Sequence, residues 1–133
     1  MPASTYLANK LIDHQLGKTS FTMPTVYVAL SSTTPTAAGT NVTEPSGGAY
    51  ARVATSGATW NAAASGSTTN VAAITWTTAS ADWVGGANLT YGVLYDASSG
   101  GNMLAYGALT VAKNVLDGDT ASIAIGGLTV SLT

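Results

Sequence analysis

His14 is the only histidine in this chain of 133 residues, so it is the first side chain to consider for catalysis. A histidine metal site would need carboxylates as its other ligands, and no HxH or HxxxH spacing occurs. A hydrolase triad would need a serine on a strained turn, and no GxSxG motif is present. We interpret His14 as a residue near the C-terminal end of a helix, where a histidine side chain interacts favourably with the helix dipole. The sequence therefore predicts no catalytic residue and no cofactor.

The stretch "LDGDT", Leu116 to Thr120, resembles a fragment of a calcium loop because two aspartates stand at i and i+2. A complete loop needs more oxygen ligands and a terminal bidentate glutamate, and neither follows here. An Asp-Gly turn between two strands explains the pattern better, so we predict no metal. The other acidic residues of the β region are dispersed, which leaves no carboxylate pair for glycoside cleavage.

The large aromatic side chains are the remaining candidates for recognition chemistry. They could stack on sugars or act as hot spots of a protein interface, but most of them are needed to fill a core that has one phenylalanine. We predict a surface position for Trp83 alone, because it stands in the turn-like stretch "SADWVGGAN". The aromatic residues considered are Tyr50, Trp60, Trp76, Trp83, Tyr91, Tyr95 and Tyr106.

The composition limits the classes of partner. Charged residues make up 8% of the chain and the net charge is −2, so there is no cluster of cations to hold a phosphate backbone or an anionic lipid surface. No apolar run is long enough to span a membrane. The chain contains no cysteine, which excludes disulfides and thiolate metal sites. We expect neither nucleic acid nor a membrane as partner.

A change of hydrophobic period divides the sequence. Ser4 to Leu16 has apolar residues at helical spacing, with Ser4 as N-cap and Gly17 as C-cap, and the N-terminus lacks the pattern of a secretory signal. After Pro24 the period becomes 2. The predicted strands are Thr25–Ser31, Tyr50–Thr55, Val71–Trp76, Thr90–Tyr95, Met103–Thr110, Thr120–Ile125 and Leu128–Leu132, with a weaker one at Ala58–Trp60.

These elements predict an all-β fold, an antiparallel β-sandwich or jelly roll of seven to eight strands with one N-terminal α-helix. An up-and-down barrel is the alternative. Residues 1–133 should form a single domain, with a helical segment at 1–22 and the sandwich at 23–133.

The strands carry threonine and serine where exposed sheets normally carry charge. In the last strand Leu128, Val130 and Leu132 alternate with hydroxyl residues. Such a neutral face loses little when it is desolvated, so another protein can cover it. Plain β-propensity of threonine explains the same pattern, and both interpretations stay open.

Four residues are expected at an interface, namely Leu7, Leu11, Glu44 and Trp83. The two leucines belong to the apolar face of the helix, which must dock on its own sheet or on a neighbouring subunit. Glu44 lies in "TPTAAGTNVTEPSGG", Thr34 to Gly48, a long loop of the kind that often carries function.

Several stretches resemble the small structural proteins of tailed bacteriophages. They are "STYLANKLIDHQLGKTSFTMPTVYVALSSTTPT", "GGAYARVA", "ITWTTASADW" and "GVLYDASSGGNMLAYGALT", which together run over nearly the whole chain in order. Proteins of this kind are commonly labelled tail-fibre or virion proteins, and similar β-sandwiches decorate phage heads. The segment "SADWVGGANLTYGVLYD" is longer after Trp83 than the resemblance implies.

The resemblance implies a noncatalytic virion protein on the outer surface of a phage particle. We predict a capsid decoration or cement protein that binds the major capsid protein and other copies of itself, as a dimer or a trimer. A tail-fibre or baseplate-associated protein that takes part in host attachment, with tail proteins as partners, is the alternative. A small carbohydrate-binding or hydrolytic domain is a more remote one.

Overall fold

A computed structural model describes residues 1–132. Its one α-helix in that range, α1, spans Thr5–Gln15. The Ser4 hydroxyl oxygen accepts a hydrogen bond from the Leu7 amide at 3.1 Å, and Gly17 adopts a φ of 73° just beyond the helix. Both ends therefore form as predicted, because an N-cap hydroxyl satisfies a free amide and glycine tolerates the left-handed conformation.

Eight strands occur within residues 1–132, and most are shorter than their predicted ranges, although β6 extends three residues beyond its predicted end. The expected strand at Ala58–Trp60 is wrong, because Gly57–Thr59 forms a 3-10 turn, and the strand at Ser67–Thr69 was not predicted. A second 3-10 segment spans Trp83–Gly86. The strands are β1 Tyr27–Ser31, β2 Val53–Ala54, β3 Ser67–Thr69, β4 Ile74–Thr75, β5 Leu89–Tyr95, β6 Met103–Lys113, β7 Ser122–Ile123 and β8 Thr129–Ser131.

The largest sheet has four antiparallel strands in the order β2-β1-β5-β6. Strands β3 and β8 form one separate two-stranded ribbon, and β4 and β7 form another. A mainly β fold with antiparallel pairing and one helix is thus confirmed. Apart from the four-stranded sheet, the described residues contain only these two ribbons, so neither the β-sandwich nor the jelly roll is confirmed.

The main core lies between one face of the four-stranded sheet and the two ribbons. Alternation along β1 sends Val28 and Leu30 into this core and Ala29 to the opposite face, where a smaller cluster forms. Val42, from the loop after β1, packs against that smaller cluster. The main core includes Val28, Leu30, Ile74, Trp76, Trp83, Leu94, Leu104, Ile123 and Leu128.

The N-terminal residues join the large sheet to a ribbon. Ala3 pairs with Ala105 of β6, and the Ser4 amide donates to the Leu104 carbonyl at 2.8 Å. The Met1 ammonium donates to the Thr129 carbonyl of β8 at 2.9 Å. A short extended segment therefore bonds to both layers before α1 begins.

Asn70 is a completely buried amide between the two ribbons. Its Nδ2 donates to the carbonyls of Ala72 and Ala124, both at 2.9 Å, and its Oδ1 accepts from the Leu128 amide at 2.9 Å. A buried amide with both ends satisfied fixes the relative position of the segments that it bonds. Asn70 thus joins three segments whose short strands provide few ladder bonds.

Replacement Asn70→Asp should lower the free energy of unfolding by about 2–4 kcal/mol, because a carboxylate has no N–H donor and meets two carbonyl oxygens. Urea denaturation near neutral pH measures the change. Asn88→Asp, at an exposed position, is the matched control and should alter stability little. Equal stabilities of the two variants would contradict this role for Asn70.

Candidate interaction surface

The loop from Thr34 to Gly48 is held by hydroxyl groups. The Thr33 hydroxyl donates to the Asn41 carbonyl at 2.7 Å, and its oxygen lies 2.9 Å from the Thr43 hydroxyl, within hydrogen-bonding distance. The Ser31 hydroxyl accepts from the Thr43 amide at 3.0 Å. These short side chains replace the backbone ladder that the loop lacks. The loop contains no helix or strand, and side-chain hydrogen bonds fix its first half instead.

A salt bridge anchors the other half of this loop. The Arg52 guanidinium donates to Glu44 from Nη2 at 2.6 Å and from Nε at 3.2 and 3.1 Å. Its Nη1 donates to the carbonyls of Ala97 at 2.9 Å and Gly100 at 2.8 Å. The guanidinium also lies 3.6 Å from the centre of the Tyr95 ring. Arg52 therefore clamps the loop to the β5–β6 connection and has little donor capacity left for a ligand.

Tyr50 extends this network into the core. Its hydroxyl donates to Glu44 Oε2 at 2.8 Å and accepts from the Leu30 amide at 3.1 Å. Burial raises the pKa of Tyr50 far above its ordinary value, and the negative charge of Glu44 raises it further. Burial also raises the pKa of Tyr95, with Glu44 acting in the same direction. Both hydroxyls therefore stay protonated in the folded chain at neutral pH.

Trp83 lies in the core, which corrects the predicted surface position. Only 1% of the residue is exposed, and its Nε1 donates to the Gly48 carbonyl at 2.9 Å. Its ring packs edge-on against Tyr50, with centroids 5.1 Å apart. Val84 and Gly85 have φ values of 52° and 61°, and this left-handed turn follows the buried tryptophan. A turn-rich sequence suggested exposure, but here the turn closes over the core.

The helix is covered only in part. Leu7 packs against the main core, and Leu11 is half-buried. In contrast, Ile12 is 54% exposed, Leu16 76% and Met23 89%. The expectation that α1 docks on its own sheet is thus confirmed for its first turns. Its last turn and the segment after it present apolar side chains to solvent.

The four predicted interface residues do not form one surface. Glu44 and Trp83 meet through Tyr50 in an internal network, whereas Leu7 and Leu11 belong to the helix. Their roles in an interface stay predictions. Arg52 and Asn70 were not singled out by sequence reasoning. Arg52 is one of only four basic residues, and that scarcity was the signal that could have marked it.

The "LDGDT" stretch forms the predicted turn. Gly118 has a φ of 86°, and the Leu116 amide donates to Asp119 Oδ2 at 3.0 Å. The Asp117 amide donates to Asp82 Oδ1 at 2.9 Å. The carboxylates therefore order the turn itself. Within residues 1–132 no group of three histidines, cysteines or acids is placed to hold a metal, and no helix has the length and hydropathy to cross a membrane.

The fold and these contacts define an antiparallel β protein whose buried charged and polar groups bind one another. A family model described as "Podophage GP4 fiber I protein gp80" matches residues 2–131. The chain therefore belongs to this family of phage fibre proteins and is a structural protein of the virion. The predicted resemblance to tailed-phage structural proteins is confirmed. No match was found among curated proteins.

Replacement Arg52→Met should lower the free energy of unfolding by roughly 2–4 kcal/mol, because it leaves the Glu44 carboxylate without its cation. Glu44→Met should act in the same direction. The double variant should be more stable than the sum of the two losses predicts, by about 1 kcal/mol or more. Urea denaturation of all four proteins measures this coupling, with Lys18→Met as the exposed control. Strict additivity would show that the pair is not coupled.

Stability should fall as the pH rises above about 10, the ordinary pKa of tyrosine. Folding raises the pKa values of Tyr50 and Tyr95. The stability that these two neutral hydroxyls contribute is therefore complete below the pKa of tyrosine in the unfolded chain, and it decreases as the pH rises above that value. Thermal melting at about pH 9 and about pH 11 measures the loss. The Tyr50→Phe variant should lose less stability between these two pH values. A loss equal to that of the wild type would exclude Tyr50 as its source.

Proposed function

We propose that this protein is a noncatalytic structural component of a podophage tail fibre, on the outside of the particle. The family match over residues 2–131 carries the proposal, because the family is described as a fibre protein. Its partners would be other copies of this chain and neighbouring fibre or tail proteins. The expectation of a capsid decoration protein is not supported by the family description, and the tail-fibre alternative fits it better.

The distribution of charge supports a structural role. Within residues 1–132 the one salt bridge joins Arg52 to Glu44, and its side chains bond to loops of the same chain. The hydroxyl groups likewise bond to each other, as between Thr75 of β4 and Ser122 of β7 at 3.0 Å and between Thr78 and Thr120 beside that ribbon at 2.6 Å. Polar groups that satisfy each other leave a surface of low charge, which other proteins can cover at little desolvation cost.

Electron microscopy of purified particles tests the location. An antibody raised against this chain, carrying gold, should label the fibres and leave the icosahedral shell unlabelled. Pre-immune antibody on the same particles is the control. Label spread regularly over the shell would instead support the decoration role. If the particles stay unlabelled even after partial unfolding exposes their proteins, the chain is not a component of the virion.

A further inference from the structure

A cavity of about 260 Å³ lies where four parts of the chain meet. The first turn of α1, the loop after β1, Arg52 and the connection between β5 and β6 all contribute to its wall. The Thr5 amide donates to the Ala37 carbonyl at 2.9 Å, and Arg52 donates to the Gly100 carbonyl at 2.8 Å. Hydrogen bonds therefore fix the wall on opposite sides of the cavity, which gives it the defined shape of a ligand site.

Tyr95 provides this cavity with a free hydroxyl group. The residue lines the cavity and is 7% exposed, and its hydroxyl has no hydrogen-bond partner within residues 1–132. The fully buried side-chain polar atom that lacks a partner in that range is Trp76 Nε1, so the Tyr95 oxygen reaches open space. The Arg52 guanidinium lies 3.6 Å from the centre of the Tyr95 ring and holds the ring in place. A rigid side chain therefore presents one group that can both donate and accept.

The connection between β5 and β6 adds further hydrogen-bonding groups. The amides of Gly100 and Gly101 donate to no group in the part of the chain that the structure describes. Both glycines line the cavity, and the lack of side chains leaves these amides accessible. The Asn102 side chain donates through Nδ2 to Asp96 at 2.9 Å, which leaves its Oδ1 as an acceptor. The wall thus contains donors, an acceptor and a hydroxyl that acts as either.

The charges around the cavity cancel. Arg52 is the one charged residue of the wall, and Glu44 pairs with it at 2.6 Å. Lys10 lies 5.6 Å from the centre of the Tyr6 ring, and Asp96 accepts a hydrogen bond from the wall at 2.9 Å. Two cations therefore face two anions. An anionic ligand would find no unpaired cation among the lining residues, whereas strong anion recognition depends on one.

These groups select for a neutral ligand with several hydroxyls. An apolar ligand would leave the Tyr95 hydroxyl and the free amides unpaired, which is costly in a closed site. Sugar hydroxyls both donate and accept, and they match the mixture of groups in the wall. The Tyr6 ring also lines the cavity and offers an aromatic face to the C–H groups of a sugar ring.

We infer that this cavity binds one ring of a neutral saccharide. Hydroxyls of the sugar bond to Tyr95, to Asn102 Oδ1 and to the amides of Gly100 and Gly101, and the Tyr6 ring packs against the sugar. The inference rests on the proposed fibre role for its setting, and it adds a ligand class to a protein on the outside of the particle. A single ring makes few contacts, so we expect a Kd on the order of 1 mM.

A two-dimensional ¹H–¹⁵N NMR titration of the purified chain tests the inference. The probes are glucose, galactose, mannose and N-acetylglucosamine, each added up to about 100 mM, well above the expected Kd. At least one of them should give saturable shifts that are largest at the amides of Gly100, Gly101 and Asn102. Glucuronic acid is the charged probe. Binding of glucuronic acid alone, saturable shifts elsewhere in the chain, or no saturable shift with any neutral sugar would overturn the inference.

Two pairs of variants locate the site. Tyr95→Phe should weaken binding about three- to tenfold, because it removes one hydrogen bond and keeps the ring. Tyr91→Phe, on the same strand but outside the cavity, should bind like the wild type. Ala38→Phe, at an exposed position of the wall, should block the cavity and abolish binding, whereas Ala62→Phe, exposed elsewhere, should not.

The NMR spectrum of each variant also shows whether it folds, so lost binding can be separated from lost structure. Unchanged affinity of both cavity variants would contradict the inference.

The two proposals fail separately. The titration uses the purified chain alone, so a negative result leaves the fibre location unaffected. Gold label on the shell would remove the fibre role and leave the titration result as it stands.

Discussion

One guanidinium group fastens the loop between β1 and β2 to the connection between β5 and β6. Arg52 contacts Glu44, two backbone carbonyls of the β5–β6 connection and the face of Tyr95. Only two residues of β2 are in ladder geometry, so hydrogen bonding along the strand cannot fix the loop that precedes it. Burying a charge is costly unless it is paired and hydrogen-bonded, and here the Arg52 guanidinium is paired with Glu44 and also donates to two backbone carbonyls. Tyr50 then carries the connection from Glu44 to Leu30 and Trp83 in the core.

The hydroxyl residues have a similar internal role. Threonine and serine side chains fasten the loop after β1 and link facing strands of the β4–β7 ribbon. β-propensity explains part of the threonine content, but a hydroxyl can also accept and donate where strands are too short to satisfy the backbone. A low surface charge follows from this way of building the fold. For a fibre protein, it leaves faces that other subunits can cover.

The helix is packed at one end and uncovered at the other. Its first turn is fixed by Ser4 and packs through Leu7, while Ile12 and Leu16 remain uncovered. Helices of this length need tertiary packing to be stable, and here the first turns pack against the core through Leu7. The last turn therefore keeps its apolar side chains in solvent.

The elements whose signals are local could be predicted from the sequence. The N-cap at Ser4, the turn at Gly118 and the alternation of β1 and β5 depend on neighbouring residues, so they could be predicted. Tertiary structure decided the rest, because burial and pairing depend on residues far apart in the chain. Trp83 is buried since Gly48 and Tyr50 meet it, Asn70 is a core residue since Leu128 and Ala124 surround it, and Arg52 finds its partners in a distant hairpin. No pattern within a short window contains that information, since such contacts form only when the layers pack.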